Sequence, residues 1–400
     1  MKENIGIIIQ KLKNGGAERA AANLSKDLSE KYNVYLITFD GTDIAYEYGG
    51  SLINIDLPAT NNKIKKIINF IKRIIRVRKV KKEKNINISI SFMEGANLIN
   101  ILSKKKDIVI TSERNLPSFF YKRKTKIKYI CNKADKIVTL SKLVREDLVN
   151  NFGINREKII PIYNSCDLNR LNIYSNEVNE IVKTFDKNKR YIITMGRLNY
   201  QKGQWHLIKA FEIVKNKIPN VELLILGKGE LEGQLKELVQ KMELQESVKF
   251  LGYMKNPHTI LNYCDIFVFS SIVEGLGNVL LEALAFSKPI VSTDCDAGPR
   301  EILAPNTDMN KKTNEIEYAE YGVLVPAFSE ERINENNIKD EEKEGMLANA
   351  IIRLLEDYEL RKKYEIKAKE RIKEFEPNII KQKWFKLIEI VRNEEKNEKR

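Results

Sequence analysis

Short apolar runs alternate with longer amphipathic stretches along most of the chain. In the first half the apolar runs are Ile5–Ile9, Val34–Thr38, Ile86–Ser91, Ile108–Thr111, Ile137–Leu140 and Lys158–Tyr163. Between the first two runs, small and apolar residues recur at helical spacing: Ala17, Ala20, Ala21, Leu24 and Leu28. Strands that alternate with helices are typical of parallel sheets covered by helices on both faces.

The same alternation restarts near residue 190. Its apolar runs are Tyr191–Met195, Val221–Leu226, Val248–Phe250, Ile266–Phe269, Pro289–Ser292 and Val323–Val325. The polar stretch Asn164–Lys189 between the halves indicates a linker, and the acidic, Asn-rich segment Ser329–Glu344 indicates an exposed loop. The pattern therefore predicts an α/β protein of two Rossmann-like domains, at 1–170 and 186–375.

Composition places the chain among ordinary globular proteins. Its 400 residues exceed what one core usually serves, and it is 42% hydrophobic and 31% charged. The four cysteines form no C-x-x-C pair, and isolated cysteines are typical of a reducing compartment. The first apolar run is too short for a signal peptide, and no run reaches the length of a membrane span. We therefore expect a cytoplasmic protein.

The formal net charge of +14 is compatible with three kinds of partner: nucleic acid, an anionic membrane or a phosphorylated substrate. A compositional bias toward Lys, Ile and Asn is a further explanation.

The most basic segment is a single predicted helix at 63–84. Six isoleucines recur there at helical spacing: Ile64, Ile67, Ile68, Ile71, Ile74 and Ile75. Ten cations occupy the other positions: Lys63, Lys65, Lys66, Lys72, Arg73, Arg76, Arg78, Lys79, Lys81 and Lys82. In one interpretation the isoleucines pack on the sheet and the cations are solvated. In the other the helix docks on anionic lipid, with the location then peripheral on the inner face of the cell membrane.

Two glycine-containing loops are candidates for binding phosphate. Gly15-Gly16-Ala17-Glu18 lies between the first strand and its helix, where free backbone N–H groups and the helix dipole favour an anion. Gly196-Arg197-Leu198 and Lys202-Gly203 follow a strand of the second half. An arginine fork and a lysine point charge on one loop can bind a diphosphate. The alternatives are a tight turn and a solvated basic loop.

The most specific pattern is Glu274-Gly275-Leu276-Gly277-Asn278-Val279-Leu280-Leu281-Glu282. A helix that begins near Gly277 or Asn278 leaves Glu274 in the preceding loop and carries Glu282 one turn in. The glycines leave N–H groups open to phosphate or sugar oxygens, and carboxylates accept hydrogen bonds from sugar hydroxyls.

These motifs, with Leu226-Gly227-Lys228-Gly229 and Leu251-Gly252-Tyr253 between them, resemble in order and spacing the family 4 retaining glycosyltransferases. The resemblance covers nearly the whole chain. It implies a GT-B-type fold, with an N-terminal acceptor domain and a C-terminal nucleotide-sugar domain facing across a cleft. It also implies that a terminal helix, at about 378–395 around Trp384 and Phe385, crosses back to the first domain.

By the same resemblance, Arg197 and Lys202 bind the donor diphosphate, Glu274 contacts the transferred sugar and Glu282 contacts the ribose. Tyr253 and Met254 lie where the family holds the base. The implied donor-binding set is Gly15, Gly16, Gly196, Tyr253, Met254, Gly275, Leu276, Gly277, Asn278 and Glu282.

One departure concerns the histidine that many relatives carry in the first domain. Both histidines of this chain, His206 and His258, lie in the second half. At the corresponding strand end stands Ser112-Glu113-Arg114-Asn115, where Glu113 or Asn115 replaces the histidine or the loop only shapes the acceptor site. Asp294-Cys295-Asp296-Ala297-Gly298-Pro299-Arg300-Glu301 resembles a stretch of relatives that transfer N-acetylhexosamines or galactose.

The resulting hypothesis is a retaining transferase that uses a nucleotide sugar, UDP-linked, as co-substrate and a glycan or lipid-linked acceptor. No D-x-D-like motif lies where a metal would bridge the diphosphate, so we expect no metal and no other cofactor. A nucleotide-sugar epimerase of the same fold is the alternative. A nucleic-acid-binding protein is disfavoured, because only Phe70 interleaves with the cations of 63–84.

Overall fold

The computed structural model describes residues 2–13, 15–121, 124–168, 171, 180–329 and 341–398. The chain divides into two compact units. The N-terminal unit comprises Met1–Ser165 and Pro377–Arg400, and the C-terminal unit comprises Cys166–Glu376. Within the described residues, each unit is built on a sheet of seven strands with helices around it, so the predicted α/β class is confirmed.

The sheet of the N-terminal unit is parallel throughout, in the order β3-β2-β1-β4-β5-β6-β7. Its strands are β1 (Asn4–Ile9), β2 (Asn33–Thr38), β3 (Ser51–Asn54), β4 (Ile88–Phe92), β5 (Ile108–Glu113), β6 (Lys136–Thr139) and β7 (Ile159–Pro161). Its first helices are α1 (Gly16–Ser29), α2 (Lys63–Glu83), α3 (Glu94–Leu102), α4 (Pro117–Phe120), α5 (Lys124–Lys133) and α6 (Lys142–Phe152). The central strands β1 and β4 are buried on both faces, as expected for a parallel sheet that helices cover on both sides.

The sheet of the C-terminal unit has the order β10-β9-β8-β11-β12-β14-β13, with only β13 antiparallel among its described pairings. Its strands are β8 (Arg190–Met195), β9 (Val221–Leu226), β10 (Val248–Gly252), β11 (Ile266–Phe269), β12 (Ile290–Thr293), β13 (Glu317–Tyr318) and β14 (Val323–Val325). Its helices are α7 (Glu180–Lys183), α8 (Gln204–Lys217), α9 (Glu232–Lys241), α10 (His258–Tyr263), α11 (Asn278–Ala285), α12 (Pro299–Leu303), α13 (Glu341–Glu356) and α14 (Tyr358–Arg371). The chain ends in α15 (Pro377–Glu398), whose Trp384, Phe385 and Ile388 pack in the core of the N-terminal unit.

Helix α2 does not pack as its pattern of isoleucines suggests. Five of the six are exposed, by 44% or more of their surface in each case: Ile64, Ile67, Ile68, Ile71 and Ile75. The helix instead packs through Val77, Lys81 and the half-buried Phe70 and Ile74. The prediction that the isoleucines pack on the sheet is therefore wrong for these five, and α2 presents an apolar stripe to solvent.

Two polar segments differ in part from their predictions. In the predicted linker, residues 169–170 and 172–179 lie outside the described residues, and the boundary between the units falls after Ser165. In the predicted acidic loop, 330–340 lie outside the described residues, whereas Glu341–Glu344 begin α13. Glu344 is buried there, with its Oε1 2.7 Å from Nδ1 of His206, so the expectation of an exposed loop is wrong at this end.

No helix within the described residues combines the length and apolarity needed to span a bilayer.

Candidate active site

Two glycine loops stack tightly at the carboxyl edge of the C-terminal sheet. The first follows β8 and contains Gly196, and the second follows β9 and contains Gly227 and Gly229. A Cβ atom on Gly227 would lie 1.8 Å from the carbonyl oxygen of Gly196, and one on Gly229 would lie 2.1 Å from that of Leu198. Glycine is therefore required for this backbone contact. The edge is where open α/β sheets bind ligands.

Lys202 and Glu274 are 72 residues apart in sequence and form an ion pair between Nζ and Oε1. The same oxygen accepts a hydrogen bond from Ser271 Oγ at 2.8 Å, and Lys202 Nζ lies 5.2 Å from the centroid of the Phe269 ring. The side chains are 17% and 8% exposed. Because the pair is largely removed from water, its charges interact more strongly with each other and with a ligand than solvated charges would.

Arg197 precedes Lys202 on the same loop and is exposed. Its carbonyl oxygen accepts a hydrogen bond from Gln204 Nε2 at 3.1 Å, which holds the backbone. The described residues provide no hydrogen bond or ion pair to its guanidinium group. The guanidinium is therefore available to an anionic ligand beside Lys202.

The loop from Glu274 to Gly277 leads into α11. Gly277 has φ +83° at the N-terminal end of the helix, and a Cβ there would lie 3.0 Å from the Phe269 ring. A helix that starts at Asn278 directs the positive end of its dipole toward the loop that contains Gly275 and Leu276. The predicted position of Glu274 before the helix and of Glu282 within it is what the structure shows.

The segment Asp294–Glu301 packs against the loop that contains Glu274. The Glu274 N–H donates to the carbonyl oxygen of Asp296 at 3.0 Å. A Cβ atom on Gly298 would lie 2.1 Å from the carbonyl oxygen of Leu276, so the two backbones are in close contact. The segment is held by Arg300, which is fully buried and pairs with Asp294 and Glu317 at 2.5 and 2.9 Å. The segment that the sequence associates with sugar type thus contacts the loop of Glu274 directly.

Glu282 is 8% exposed and lies beside a histidine that the motif did not include. His258 Nε2 is 3.9 Å from Glu282 Oε2. Tyr253 and Met254 follow β10, with Tyr253 55% exposed. His258 carries no local signal, because its place beside Glu282 depends on the packing of α10 near α11. The structure thus has Gly196, Arg197, Lys202, Glu274, Gly275, Leu276 and Gly277 in two loops of the C-terminal unit, and Asn278 and Glu282 in α11 directly after the second loop.

The remaining predicted residues lie in the N-terminal unit. Gly15 donates its N–H to the Tyr46 hydroxyl at 3.1 Å, and Gly16 is the exposed first residue of α1. Glu113, at the end of β5, is completely buried. Its Oε1 accepts a hydrogen bond from Asn97 Nδ2 at 2.9 Å, and burial raises its pKa to about 7. The structure therefore does not bring Glu113 to the surface, whereas its neighbour Arg114 lines a pocket.

The Asn97–Glu113 contact ends a chain of buried hydrogen bonds that starts at α2. Lys81 Nζ donates to Asp107 Oδ2 at 2.8 Å and to Asn100 Oδ1 at 2.6 Å. Asn100 Nδ2 donates to Ser91 Oγ, and Ser91 Oγ donates to Asn97 Oδ1, at 3.1 and 2.8 Å. These side chains are nearly inaccessible, so α2 is connected through polar contacts to the strand end that carries Glu113 and Arg114.

Comparison with known proteins agrees with this arrangement. Residues 14–170 match the family model described as Glycosyltransferase Family 4, and residues 175–371 match the model described as Glycosyl transferases group 1. An uncharacterized glycosyltransferase of Methanocaldococcus jannaschii is 37% identical over 342 residues, which cover 80% of this chain and 83% of that protein. This chain belongs to glycosyltransferase family 4.

Three further proteins are similar to this family 4 glycosyltransferase. An N-acetylgalactosamine-N,N'-diacetylbacillosaminyl-diphospho-undecaprenol 4-alpha-N-acetylgalactosaminyltransferase of Campylobacter jejuni is 31% identical over 388 residues, covering 94% of this chain and 96% of that protein. Among solved structures, sucrose-phosphate synthase of Thermosynechococcus elongatus superimposes with a TM-score of 0.78 at 16% identity, over 98% of this chain and 100% of that chain. HepE of Anabaena in complex with UDP gives 0.74 at 17% identity, over 97% and 99%. The chain is a glycosyltransferase with the GT-B-type fold.

Proposed function

We propose that this glycosyltransferase retains anomeric configuration and moves an N-acetylhexosamine or hexose from a UDP-linked donor to a lipid-linked glycan acceptor, without a metal ion. The reaction serves the synthesis of a cell-surface polysaccharide or glycoconjugate. The observation that carries the proposal is the partly desolvated Lys202–Glu274 pair beside the exposed Arg197, at the carboxyl edge of the C-terminal sheet.

The arrangement suits the departure of a nucleoside diphosphate. As the bond from the sugar anomeric carbon to the diphosphate oxygen breaks, negative charge develops on that oxygen. Arg197, Lys202 and the N-terminal end of α11 supply positive charge without first having to reorganise. Glu274, held by Lys202 and Ser271, accepts hydrogen bonds from hydroxyls of the transferred sugar.

The acceptor hydroxyl attacks the same anomeric carbon from the face that the diphosphate leaves. Its oxygen forms the new glycosidic bond, and its proton passes to the departing diphosphate oxygen. Glu113 acts in this scheme as a positioning residue rather than by contact with substrate, because its carboxyl group is fully buried against Asn97.

We infer the substrate class from two relatives whose names state a reaction. The Campylobacter jejuni relative at 31% identity is named for N-acetylgalactosaminyl transfer to a diphospho-undecaprenol-linked saccharide. A second protein of that organism, 26% identical over 97% of this chain, is named for N-acetylgalactosaminyl transfer to a related PP-undecaprenol acceptor. We extend both features to this chain: an N-acetylhexosamine donor and an acceptor joined to a polyprenol through diphosphate.

A lipid-linked acceptor requires access to a membrane, and α2 supplies a surface for it. Its exposed stripe, Ile67, Ile68 and Ile71 among its members, is flanked on the same helix by the exposed Lys65 and Lys72. An apolar stripe bordered by cations is the pattern of helices that lie in the interface of an anionic bilayer. We assign the enzyme to the cytoplasm, peripheral on the inner face of the cell membrane.

The decisive experiment offers the purified protein a panel of UDP-sugars, with and without a short-chain polyprenyl-diphosphate saccharide, in the presence of EDTA. The expected result is release of UDP from one N-acetylhexosamine donor only when acceptor is present, at a rate that EDTA leaves unchanged. Conversion of the donor sugar without acceptor would identify an epimerase. Activity restored only by magnesium or manganese would refute metal independence.

A further inference from the structure

A chain of buried side-chain hydrogen bonds runs from α2 to the end of β5, and every donor in it points the same way. Lys81 Nζ donates to Asn100 Oδ1 at 2.6 Å, and Asn100 Nδ2 donates to Ser91 Oγ at 3.1 Å. Ser91 Oγ donates to Asn97 Oδ1 at 2.8 Å, and Asn97 Nδ2 donates to Glu113 Oε1 at 2.9 Å. All five residues are at most 3% exposed. The chain thus begins at a cation and ends at a carboxyl group.

The chemistry of the two ends fixes this direction. An ammonium group has no acceptor, so Lys81 can only donate, and the side-chain oxygen of Asn100 must face it. At the other end the Ser112 carbonyl oxygen can only accept, so the side-chain nitrogen of Asn97 must face it, at 3.1 Å. The Ser91 hydroxyl between them therefore accepts from Asn100 and donates to Asn97. Hydrogen bonds aligned in this way polarise and strengthen one another.

Burial and the chain act on Glu113 in opposite directions. Burial raises the pKa of its carboxyl group to about 7, with Glu94 of α3 reinforcing the shift and the hydrogen bond from Asn97 opposing it. Tyr121 after α4 and Cys131 of α5 also face Glu113, and both stay neutral near neutral pH because burial raises their pKa. Of these groups only Asn97 favours the carboxylate. Oε2 of Glu113 is buried with no hydrogen-bond partner among the described residues, so the ionised form depends on the chain that reaches Oε1.

The same contacts hold the turn between β4 and α3 against the end of β5. Met93 in that turn has φ +75°, a strained value for a residue with a side chain. Its N–H donates to the Ser112 carbonyl oxygen at 3.4 Å, and Asn97 donates to that oxygen as well as to Glu113. A carboxylate accepts a hydrogen bond more strongly than a neutral carboxyl group, so ionisation of Glu113 tightens this contact. The residues that follow lie at the carboxyl edge of the sheet, where open α/β sheets bind ligands.

We propose that Lys81, Ser91 and Asn97 are positioning residues, which keep Glu113 as a carboxylate so that the end of β5 holds the conformation that sugar transfer requires. Replacing a buried ion pair such as Lys81–Asp107 by apolar residues is often neutral or stabilising, so stability alone does not require the chain. The inference rests on the proposed function only for the reaction that is assayed. Protonation of Glu113 should weaken the contact with Asn97 and slow transfer.

The first readout is the pKa of Glu113 in the full-length protein, which needs no substrate. The difference in unfolding free energy between each variant and the same variant with Glu113→Gln is followed from about pH 5 to about pH 9, and its pH dependence gives that pKa. Ser91→Ala interrupts the chain at its middle, and Asn97→Ala removes its last donor. Ser103→Ala is the matched control, because Ser103 is equally buried but donates to the Asn100 carbonyl oxygen, outside the chain.

We expect the pKa of Glu113 to rise by at least about one unit in Asn97→Ala, the usual effect of losing a hydrogen bond to a charged group, and by less in Ser91→Ala. Ser103→Ala should leave it unchanged. The second readout is kcat at saturating donor and acceptor. In the parent it should rise about tenfold between about pH 6 and about pH 8, as a group with a pKa about 7 ionises.

Glu113→Gln should abolish this rise, and the rise should move to higher pH in Ser91→Ala and Asn97→Ala by as much as the pKa of Glu113 moves. UDP affinity should be the same in all variants, because the donor loops lie in the other unit. A merely structural role would lower stability without moving the pH profile.

An unchanged pKa of Glu113 in both Ser91→Ala and Asn97→Ala would overturn the role of the chain. The same pH dependence of kcat in the parent and in Glu113→Gln would overturn the role of the carboxylate in transfer. Should Asn97→Ala fail to fold, Ser91→Ala decides alone by the same criterion. A protein that transfers no sugar would refute the proposed function, whereas the chain would still stand or fall by the pKa measured without substrate.

Discussion

At the scale of single residues, the two cations of the loop after β8, Arg197 and Lys202, have different environments. Arg197 is exposed, whereas Lys202 is largely buried and neutralises Glu274. Both face the same diphosphate in the proposed reaction, but only Lys202 also supports the fold. Because of this difference, substitution of Arg197 should affect catalysis alone, whereas substitution of Lys202 should affect both catalysis and stability.

We expect Arg197→Ala and Lys202→Ala each to lower turnover by about a hundred- to a thousandfold, the usual effect of removing a group preorganised for developing charge. Arg197→Ala should leave the free energy of unfolding within about 0.5 kcal/mol of the parent, as exposed sites usually do. Lys202→Ala should lower it by about 1–3 kcal/mol, because Glu274 loses its buried partner. Turnover assays and denaturant unfolding of both variants check this. Near-parental turnover in both would refute the role in leaving-group stabilisation.

The two glutamates of the Glu274–Glu282 element should also differ in their effects. Glu274→Gln keeps the shape but weakens acceptance of sugar hydroxyl hydrogen bonds, so turnover should fall at least about tenfold while UDP affinity changes little. Glu282→Gln, the matched control on the same element, should weaken UDP affinity more than turnover at saturating donor. Calorimetry with UDP and initial rates give the comparison. The reverse pattern would exchange the two assignments.

Glu113 provides a pH-dependent test within the N-terminal unit. Burial raises its folded pKa from 4.5 to about 7, with Asn97 opposing the shift and Glu94 reinforcing it. Between these values the folded state binds more protons than the unfolded state, so this group lowers stability as pH rises from about 4.5 to 7. Each unit of pKa difference is worth about 1.4 kcal/mol.

Glu113→Gln should therefore gain stability relative to the parent as pH rises through that window. The measurement is the difference between the two unfolding free energies at several pH values, which removes the contribution of other titrating groups. A difference that does not depend on pH would show that the carboxyl group titrates normally.

At the scale of elements, the apolar pattern predicted most strands but missed one edge strand in each sheet. The strands β3 and β13 were missed because Ser51–Asn54 and Glu317–Tyr318 are short and not apolar throughout. For α2 the pattern predicted an amphipathic helix but could not say which face packs. That choice depends on Asp107 and Asn100, which satisfy Lys81 inside the unit.

The candidate site likewise combines features that the local sequence predicts with features that it does not. The glycine loops follow from local sequence because their close backbone contacts require glycine, and the position of Glu282 follows from the predicted start of the helix near Asn278. The Lys202–Glu274 pair, His258 beside Glu282 and the burial of Glu113 depend on contacts between distant parts of the chain. Residue spacing alone carries no information about such contacts.

The exposed stripe of α2 leads to a prediction about membrane binding. The double change Ile67→Ser and Ile71→Ser should reduce flotation with anionic liposomes by removing the inserting surface. Lys65→Gln with Lys72→Gln should reduce it by about 1 kcal/mol per charge. Ile366→Ser, at an isoleucine 59% exposed in the C-terminal unit, is the control and should float like the parent. Equal binding of all variants, or none by the parent, would exclude α2 as the docking surface.

At the scale of the whole molecule, the net charge of +14 makes the proposed membrane binding sensitive to salt. Most cations of α2, including Lys65 and Lys72, are exposed, and exposed charges are screened by salt: the Debye length falls from about 10 Å at 0.1 M to about 3 Å at 1 M. The proposed donor site contains the partly buried Lys202–Glu274 pair, which salt screens much less. Recruitment and chemistry should therefore respond differently to ionic strength.

We expect transfer to an acceptor embedded in anionic vesicles to fall at least about tenfold between 0.1 and 1 M salt, because each surface cation contributes about 1 kcal/mol to membrane attraction at low salt. Transfer to a soluble short-chain acceptor should change less than about threefold over the same range. The parent and the Lys65→Gln, Lys72→Gln variant are assayed side by side on both acceptors. The variant should be slower than the parent on vesicles at low salt, equal to it at high salt, and equal to it on the soluble acceptor throughout. Parallel salt profiles on the two acceptors would mean that salt acts on the active site itself, and that the basic surface of α2 does not deliver the enzyme to its substrate.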